Sequence, residues 1–202
     1  MKAQETRKRQ SSSVPLVSAL IVKGIVGVDR KKHGKSRASL ISHVVNIRER
    51  TIPPLPEHSC GNLGVLAISE CTTEESQNME FQDFARFLGD GINKTVTACA
   101  QILSDHGENR HALIDNAVES IDKSFMNDTN LVWFTDWSQF RFYETDFGWG
   151  KPIWASVANM SIKNLIILMD TKESDGIEAW IHLDEKDMHY FEQDEEINQF
   201  TT

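Results

Sequence analysis

The sequence predicts an α/β domain built on a mixed, largely antiparallel sheet with flanking helices. Three features lead there. The last third carries short apolar or alternating runs of strand length. The middle carries two long segments with apolar residues at helical spacing. No internal repeat is present, and 202 residues suffice for one domain with a real core.

Taken in order, residues 1–13 are polar and Ser-rich and read as disordered or linker. A first helix is expected over 15–28. The stretch 29–37 (Asp-Arg-Lys-Lys-His-Gly-Lys-Ser-Arg) reads as a basic, solvated loop. Residues 39–48, rich in Val, Ile and Ser, read as a strand, and Pro53-Pro54-Leu55-Pro56 stops regular structure. Gly61 to Cys71 reads as a second strand. Between Glu80 and Leu103 apolar residues fall at 81, 84, 88, 92, 96, 99 and 103, one face of a helix. Gly89 and Gly91 weaken that helix by roughly 1 kcal/mol each. A further helix is expected over 109–125, with Ile114, Ala117, Val118, Ile121 and Phe125 on its apolar stripe. Strands follow at Leu131–Trp137, Pro152–Met160, Leu165–Asp170 and Gly176–Leu183. Short turns join the last three, which suggests an antiparallel meander. Asp184 sits where an N-cap belongs, with Leu183 and Met188 spaced for a hydrophobic staple, and a closing helix runs to about 198.

Composition narrows the function classes. Hydrophobic residues make up 40% and charged residues 25%, ordinary for a globular chain. A formal net charge of -9 argues against nucleic acid or an acidic membrane as the main partner. Cys60, Cys71 and Cys99 form no CxxC pair, which suits a reducing compartment and gives no metal site. The apolar run Val14–Val28 is interrupted by Lys23, lacks a cleavage site and is too short to span a bilayer, so a cytoplasmic location is expected. There the sequons at Asn93, Asn127 and Asn159 carry no meaning.

Several landmarks fall in one order. They are Val45-Asn46-Ile47-Arg48-Glu49-Arg50 with Pro53-Pro54-Leu55-Pro56, then Gly61-Asn62, then Asp146-Phe147-Gly148-Trp149-Gly150-Lys151-Pro152, then Gly176 to Asp184. This succession resembles the second half of the BAHD plant acyl-CoA-dependent acyltransferases, and within them the vinorine synthase-type alkaloid and terpenoid acetyltransferases. It covers roughly residues 14–198. The resemblance implies a C-terminal acyltransferase domain over 14–202, like that of chloramphenicol acetyltransferase-like enzymes. It implies acyl-CoA as co-substrate with no permanently bound cofactor, and a small-molecule acceptor. Gly61 and Asn62 become candidate contacts for CoA, as does the basic loop 30–37.

The DFGWG stretch has its own physics. Gly148 and Gly150 permit backbone conformations closed to other residues. Phe147 and Trp149 can fill apolar space at the turn. Asp146, if buried beside them, needs a positive partner. Arg48 and Arg50 share a strand face with Asn46, and Arg48 is the preferred partner. The resemblance implies a structural Asp–Arg pair at this position, which is in some relatives given as catalytic, and the residues themselves favour the structural role for Asp146.

The family's general base is the histidine of an HxxxD motif, which the resemblance places in an N-terminal domain that this chain lacks. A separately made N-terminal half is therefore an expected partner. One HxxxD string does occur, His111 to Asp115. Seven histidines produce such a match by chance roughly four times in ten. It lies on the polar edge of an expected helix and is followed by Asn116, where the family carries a small residue. It reads as a solvent-facing pair. His182 reads as a structural histidine on a strand. Relatives carry Ser-Trp-x-Arg-Phe-Pro before DFGWG. Here the stretch is Asp136-Trp137-Ser138-Gln139-Phe140-Arg141, so Gln139 replaces a basic residue. Val22 likewise stands where relatives often have Trp. The competing expectation is a pseudoenzyme or interaction module on the same fold.

Overall fold

A computed structural model describes residues 2–48, 50, 54–56, 58–104, 112–158 and 160–201. His111, Asn159 and Pro53 lie outside them. The elements run α1 (Lys2–His33), β1 (Ser39–Asn46), β2 (Gly64–Cys71), α2 (Thr73–Asn78), α3 (Phe81–Ser104), α4 (Ala112–Met126), β3 (Asn130–Asp136), β4 (Leu165–Asp170), β5 (Ile177–His182), α5 (Glu185–Phe191) and α6 (Glu195–Phe200), with a single 3-10 turn at Phe142–Glu144.

The five strands form one sheet in the order β2-β1-β3-β4-β5. Both edge pairs are antiparallel and both central pairs parallel. The edge pairs match eight and six positions and the central pairs six and four, so antiparallel pairing predominates as expected. β4 is buried along its whole length, which explains its unbroken Leu-Ile-Ile-Leu-Met run.

One sheet face is covered by α1 and α3. Ile21, Val22 and Ile25 of α1 meet Phe84 and Leu88 of α3, Val132 and Phe134 of β3, and Ile166 and Leu168 of β4 in one core. Two glycines allow close approach. A Cβ on Gly24 would stand 2.8 Å from the Phe191 ring, and one on Gly91 2.2 Å from Ser69 Oγ. The cost of Gly91 inside α3 is thus offset by tight packing on β2.

Several expectations are corrected. The first helix begins at Lys2 rather than 15, running through the segment read as linker. The residues before the Ser run, mainly Lys, Ala, Gln, Glu and Arg, are good helix formers. Pro15 is consequently interior to the helix. Residues 152–158 contain no strand. Both edges of β4 are taken, by β3 and β5, so no meander of three strands forms. The apolar residues of this segment serve another purpose: Ala155, Val157 and Met160 lie over Leu165, Ile167 and Met169 on the second sheet face. The stripe on α4 is only partly used, since Ala117 is buried while Val118 and Phe125 are exposed. The closing helix is two helices. Asp184 occupies the N-cap position of α5, but its carboxylate binds Lys163 instead of the helix end. The staple pair Leu183 and Met188 does pack against the core.

Candidate functional site

The chain leaves β1 toward β2 on one side and leaves β3 toward β4 on the other. The crevice beyond the carboxyl ends of β1 and β3 is therefore a switch point, the usual ligand position in open α/β sheets. A cavity of about 510 Å³ lies there. Its polar lining is His43, Asn46, Arg50, Asn93, Asp136 and Gln139, with Pro15 and Phe140 beside them.

Each strand end is held by short hydrogen bonds. Asn46 Oδ1 accepts from the Arg48 backbone N–H at 3.1 Å and from Arg48 Nη1 at 3.2 Å. Arg48 Nε donates to Ser59 O at 3.1 Å and its Nη2 to Gly61 O at 2.9 Å. Arg50 Nη1 donates to Asn46 O at 3.3 Å. Asp136 Oδ1 accepts from the Ser138 N–H at 2.9 Å, turning the chain after β3 so that Gln139 reaches the cavity. Arg48 thus clamps the Gly61-Asn62 loop to the β1 end, one hydrogen bond from the cavity wall. Gly61 and Asn62 are both exposed there, and Gly61 adopts φ 137, a conformation that favours glycine.

His43 was not singled out by its sequence context. It lies between Ile41 and Val45 on the inward face of β1 and is 4% exposed. Its ring stacks on Phe134 with centroids 4.6 Å apart, and Nε2 meets Ser18 Oγ at 3.1 Å. Burial pushes its pKa down to about 4, so the ring is neutral at physiological pH. Nδ1 has no partner among the described residues. Alternation with two apolar neighbours was the available signal for its inward placement.

Asp146 does not meet an arginine. Its Oδ1 accepts from the N–H of Gly148 at 2.7 Å and of Gly150 at 3.0 Å, closing a loop in which both glycines have φ above 100. These two N–H groups hold its carboxyl below the usual range, with Lys151 adding to the effect. The expected pairing with Arg48 or Arg50 required Asp146 to be buried, but it is fully exposed and solvated. Phe147 and Trp149 are likewise exposed, with ring centroids 5.7 Å apart, rather than filling a core. The DFGWG residues and the cavity residues are therefore two groups. Asp115 is exposed in the first turn of α4 and does not line the cavity, and His182 ends β5 half-buried. No cluster of metal-ligating side chains occurs among the described residues.

Comparison with known proteins agrees with the fold. The chain is 38% identical over 192 residues to a pelargonidin 3-O-(6-caffeoylglucoside) 5-O-(6-O-malonylglucoside) 4'''-malonyltransferase from Salvia splendens, covering 95% of this chain and 46% of that one. It is 32% identical over 183 residues to vinorine synthase from Rauvolfia serpentina, covering 91% and 40%. The crystal structure of vinorine synthase superposes with a TM-score of 0.69 at 30% identity, covering 88% of this chain and 39% of that chain. F. sporotrichioides TRI101, solved with coenzyme A and T-2, shares the fold alone, at 19% identity and a TM-score of 0.61, covering 98% and 48%. The chain spans about half the length of the curated relatives it matches. Residues 1–198 match the model of the Transferase family, and the chain belongs to that family of BAHD-type acyltransferases.

Proposed function

We propose that this chain forms the C-terminal part of an enzyme that transfers an acyl group, acetyl by preference, from acyl-CoA to a hydroxyl or amine of a plant specialised metabolite. The observation that carries the reading is the cavity at the carboxyl ends of β1 and β3, in a chain whose relatives are acyltransferases. Its lining offers the amides of Asn46, Asn93 and Gln139, which suit a hydroxylated, uncharged acceptor. In the reaction the acceptor O–H or N–H attacks the thioester carbonyl, a base takes its proton, and CoA leaves as the thiol.

The base is the part the cavity does not supply. His43 is the one histidine lining it among the described residues, and that ring is buried, stacked and bonded to Ser18. We assign the proton transfer to a histidine in the other half of the relatives' length. Asp146 keeps a structural role, organising its own loop. Gly61-Asn62, held by Arg48, remains the proposed CoA contact on this chain, and the cytoplasm the proposed location. Among the described residues no helix is long and apolar enough to cross a membrane.

The same missing base favours a second reading, a catalytically inactive module that binds through this fold. One assay separates the two. Acetyl transfer from acetyl-CoA to a panel of alcohols is measured for the chain alone and after mixing with an N-terminal half of vinorine synthase. Turnover only on mixing, reduced by Gln139→Ala or Asn93→Ala, supports the enzyme. Absence of both turnover and CoA binding in the mixture favours the inactive module. Turnover by the chain alone that is lost in His111→Ala overturns the assignment of the base.

A further inference from the structure

The outermost strand β5 borders a second cavity, of about 960 Å³. Ile177, Ala179 and Ile181 belong to the sheet face that α1 covers, and Glu178 to the face that carries Trp180. All four line this one cavity, so it runs along the outer edge of the strand. One wall is apolar, built from Leu16, Val17 and Leu20 of α1 with Phe81, Ile197 and Phe200. The other holds Tyr143 and Trp154, whose ring centroid lies 5.8 Å from that of Trp180.

The register decides which backbone groups face the cavity. Thr171 N–H donates to Gly176 O at 3.3 Å, which makes those two residues a hydrogen-bonded pair. Bonded and non-bonded pairs alternate along an antiparallel ladder. Glu178, Trp180 and His182 therefore turn their N–H and C=O groups toward β4, and Ile177, Ala179 and Ile181 turn theirs outward. Among the described residues no further strand or loop backbone bonds to them. The cavity is thus edged by backbone donors and acceptors repeating at roughly 7 Å, two residues of strand.

A fitting occupant satisfies both the walls and the edge. A purely apolar ligand would displace water from these backbone groups and leave them unpaired. An extended peptide replaces the lost hydrogen bonds and puts alternate side chains on opposite faces. Those on one face meet Leu16, Leu20 and Phe200, and those on the other lie beside Glu178. The charged residues lining the cavity are Lys172, Glu173 and Glu178, one cation against two carboxylates. Glu178 has no ion-pair partner among the described residues, in a chain of net charge -9. A cationic side chain across from it is therefore favoured.

We infer that the free edge of β5 binds an extended peptide of a partner protein by strand addition, with apolar residues at alternate positions against α1 and α6 and a Lys or Arg beside Glu178. The inference does not rest on the acyl-transfer reading. The test titrates the full chain with the acetylated, amidated peptide Val-Lys-Val-Thr-Val-Lys-Val and follows backbone amide exchange by NMR. Exchange at Ile177, Ala179 and Ile181 is expected to slow, while Glu178, Trp180 and His182, already bonded to β4, change little. N-methylation of one alternating set of peptide amides should abolish binding, and methylation of the other set should not. Glu178→Gln should weaken this peptide about two- to fivefold and leave a version with Gln for Lys unaffected. Ala179→Pro removes an outward donor that no ladder bond uses, and should abolish binding. If that variant does not fold, the methylated peptides decide. No protection at millimolar peptide overturns the inference, as does equal tolerance of both methylation patterns. Protection that grows with the concentration of the chain alone, or that appears only with an N-terminal half of vinorine synthase, assigns the edge to that occupant and overturns it too.

Discussion

His43 shows how one buried side chain can set a pH limit. Its ring loses its proton near pH 4 in the folded chain, against an ordinary value of 6.5, because burial disfavours the charge. Between those values the unfolded chain binds more protons, so stability rises with pH. The contribution is complete above pH 6.5 and is lost as pH falls toward 4. Urea unfolding at pH 7 and about pH 5 should show the chain losing on the order of 2 kcal/mol more than His43→Gln over that interval. Equal losses in the two proteins would show that His43 is not the sensor. Asp146 predicts the contrasting case. Its carboxylate organises an exposed loop, so Asp146→Ala should speed amide exchange at Gly148 and Gly150 while leaving the unfolding midpoint nearly unchanged. A large drop in midpoint would instead mean that Asp146 has a buried partner.

At the scale of elements, α1 contains its own control experiment. A Cβ on Gly27 would meet nothing within 4 Å, whereas one on Gly24 would stand 2.8 Å from the Phe191 ring. Gly27→Ala should therefore stabilise the chain by up to about 1 kcal/mol through helix propensity. Gly24→Ala should destabilise it by about 1–3 kcal/mol through overpacking against α5. Paired unfolding curves check this, and equal shifts of the same sign would refute the packing of α5 on α1. The contrast also marks what the sequence could reveal. Helical spacing located α3, because Phe84 and Leu88 face inward as the pattern requires. It could not foresee that Gly91 makes room for Ser69, since that is a contact between elements distant in sequence. Val, Ile and Ser content located β1, alternation located β5, and an unbroken apolar run located β4. The same signal failed at 152–158, where apolar residues cover a sheet face instead of joining it. Pattern reports burial, and burial alone does not distinguish a strand from a strap. In the candidate site, Arg48 and Gly61 were legible as motif residues, but their hydrogen bond was not. His43 was hidden because its neighbours made it look like any inward strand position.

For the whole molecule, the distribution of exposed apolar side chains bears on the proposal that this chain works together with a second half. Phe140, Phe147, Trp149, Ile153, Trp154 and Ile162 are all exposed and all come from one stretch of 23 residues that leads out from the candidate site. Single domains rarely leave so much large apolar surface in contact with water without a partner. The relatives are about twice as long as this chain, so the simplest occupant for that stretch is the half of the relatives that this chain does not match. Trp149 and Ile153 are 84% and 85% exposed, so removing them deprives this chain of little packing of its own. Trp149→Ala/Ile153→Ala should then leave the unfolding midpoint within a few degrees of the parent. It should weaken association with a relative's N-terminal half by at least about tenfold, because buried aromatic anchors carry most of an interface's binding energy. Met126→Ala, which truncates an exposed apolar residue at the end of α4, should leave association unchanged. Thermal unfolding measures the midpoint, and sedimentation of mixed halves measures both association outcomes. Equal weakening by both variants would mean that the halves meet through general stickiness, and no association in the parent would favour a chain that works without the other half.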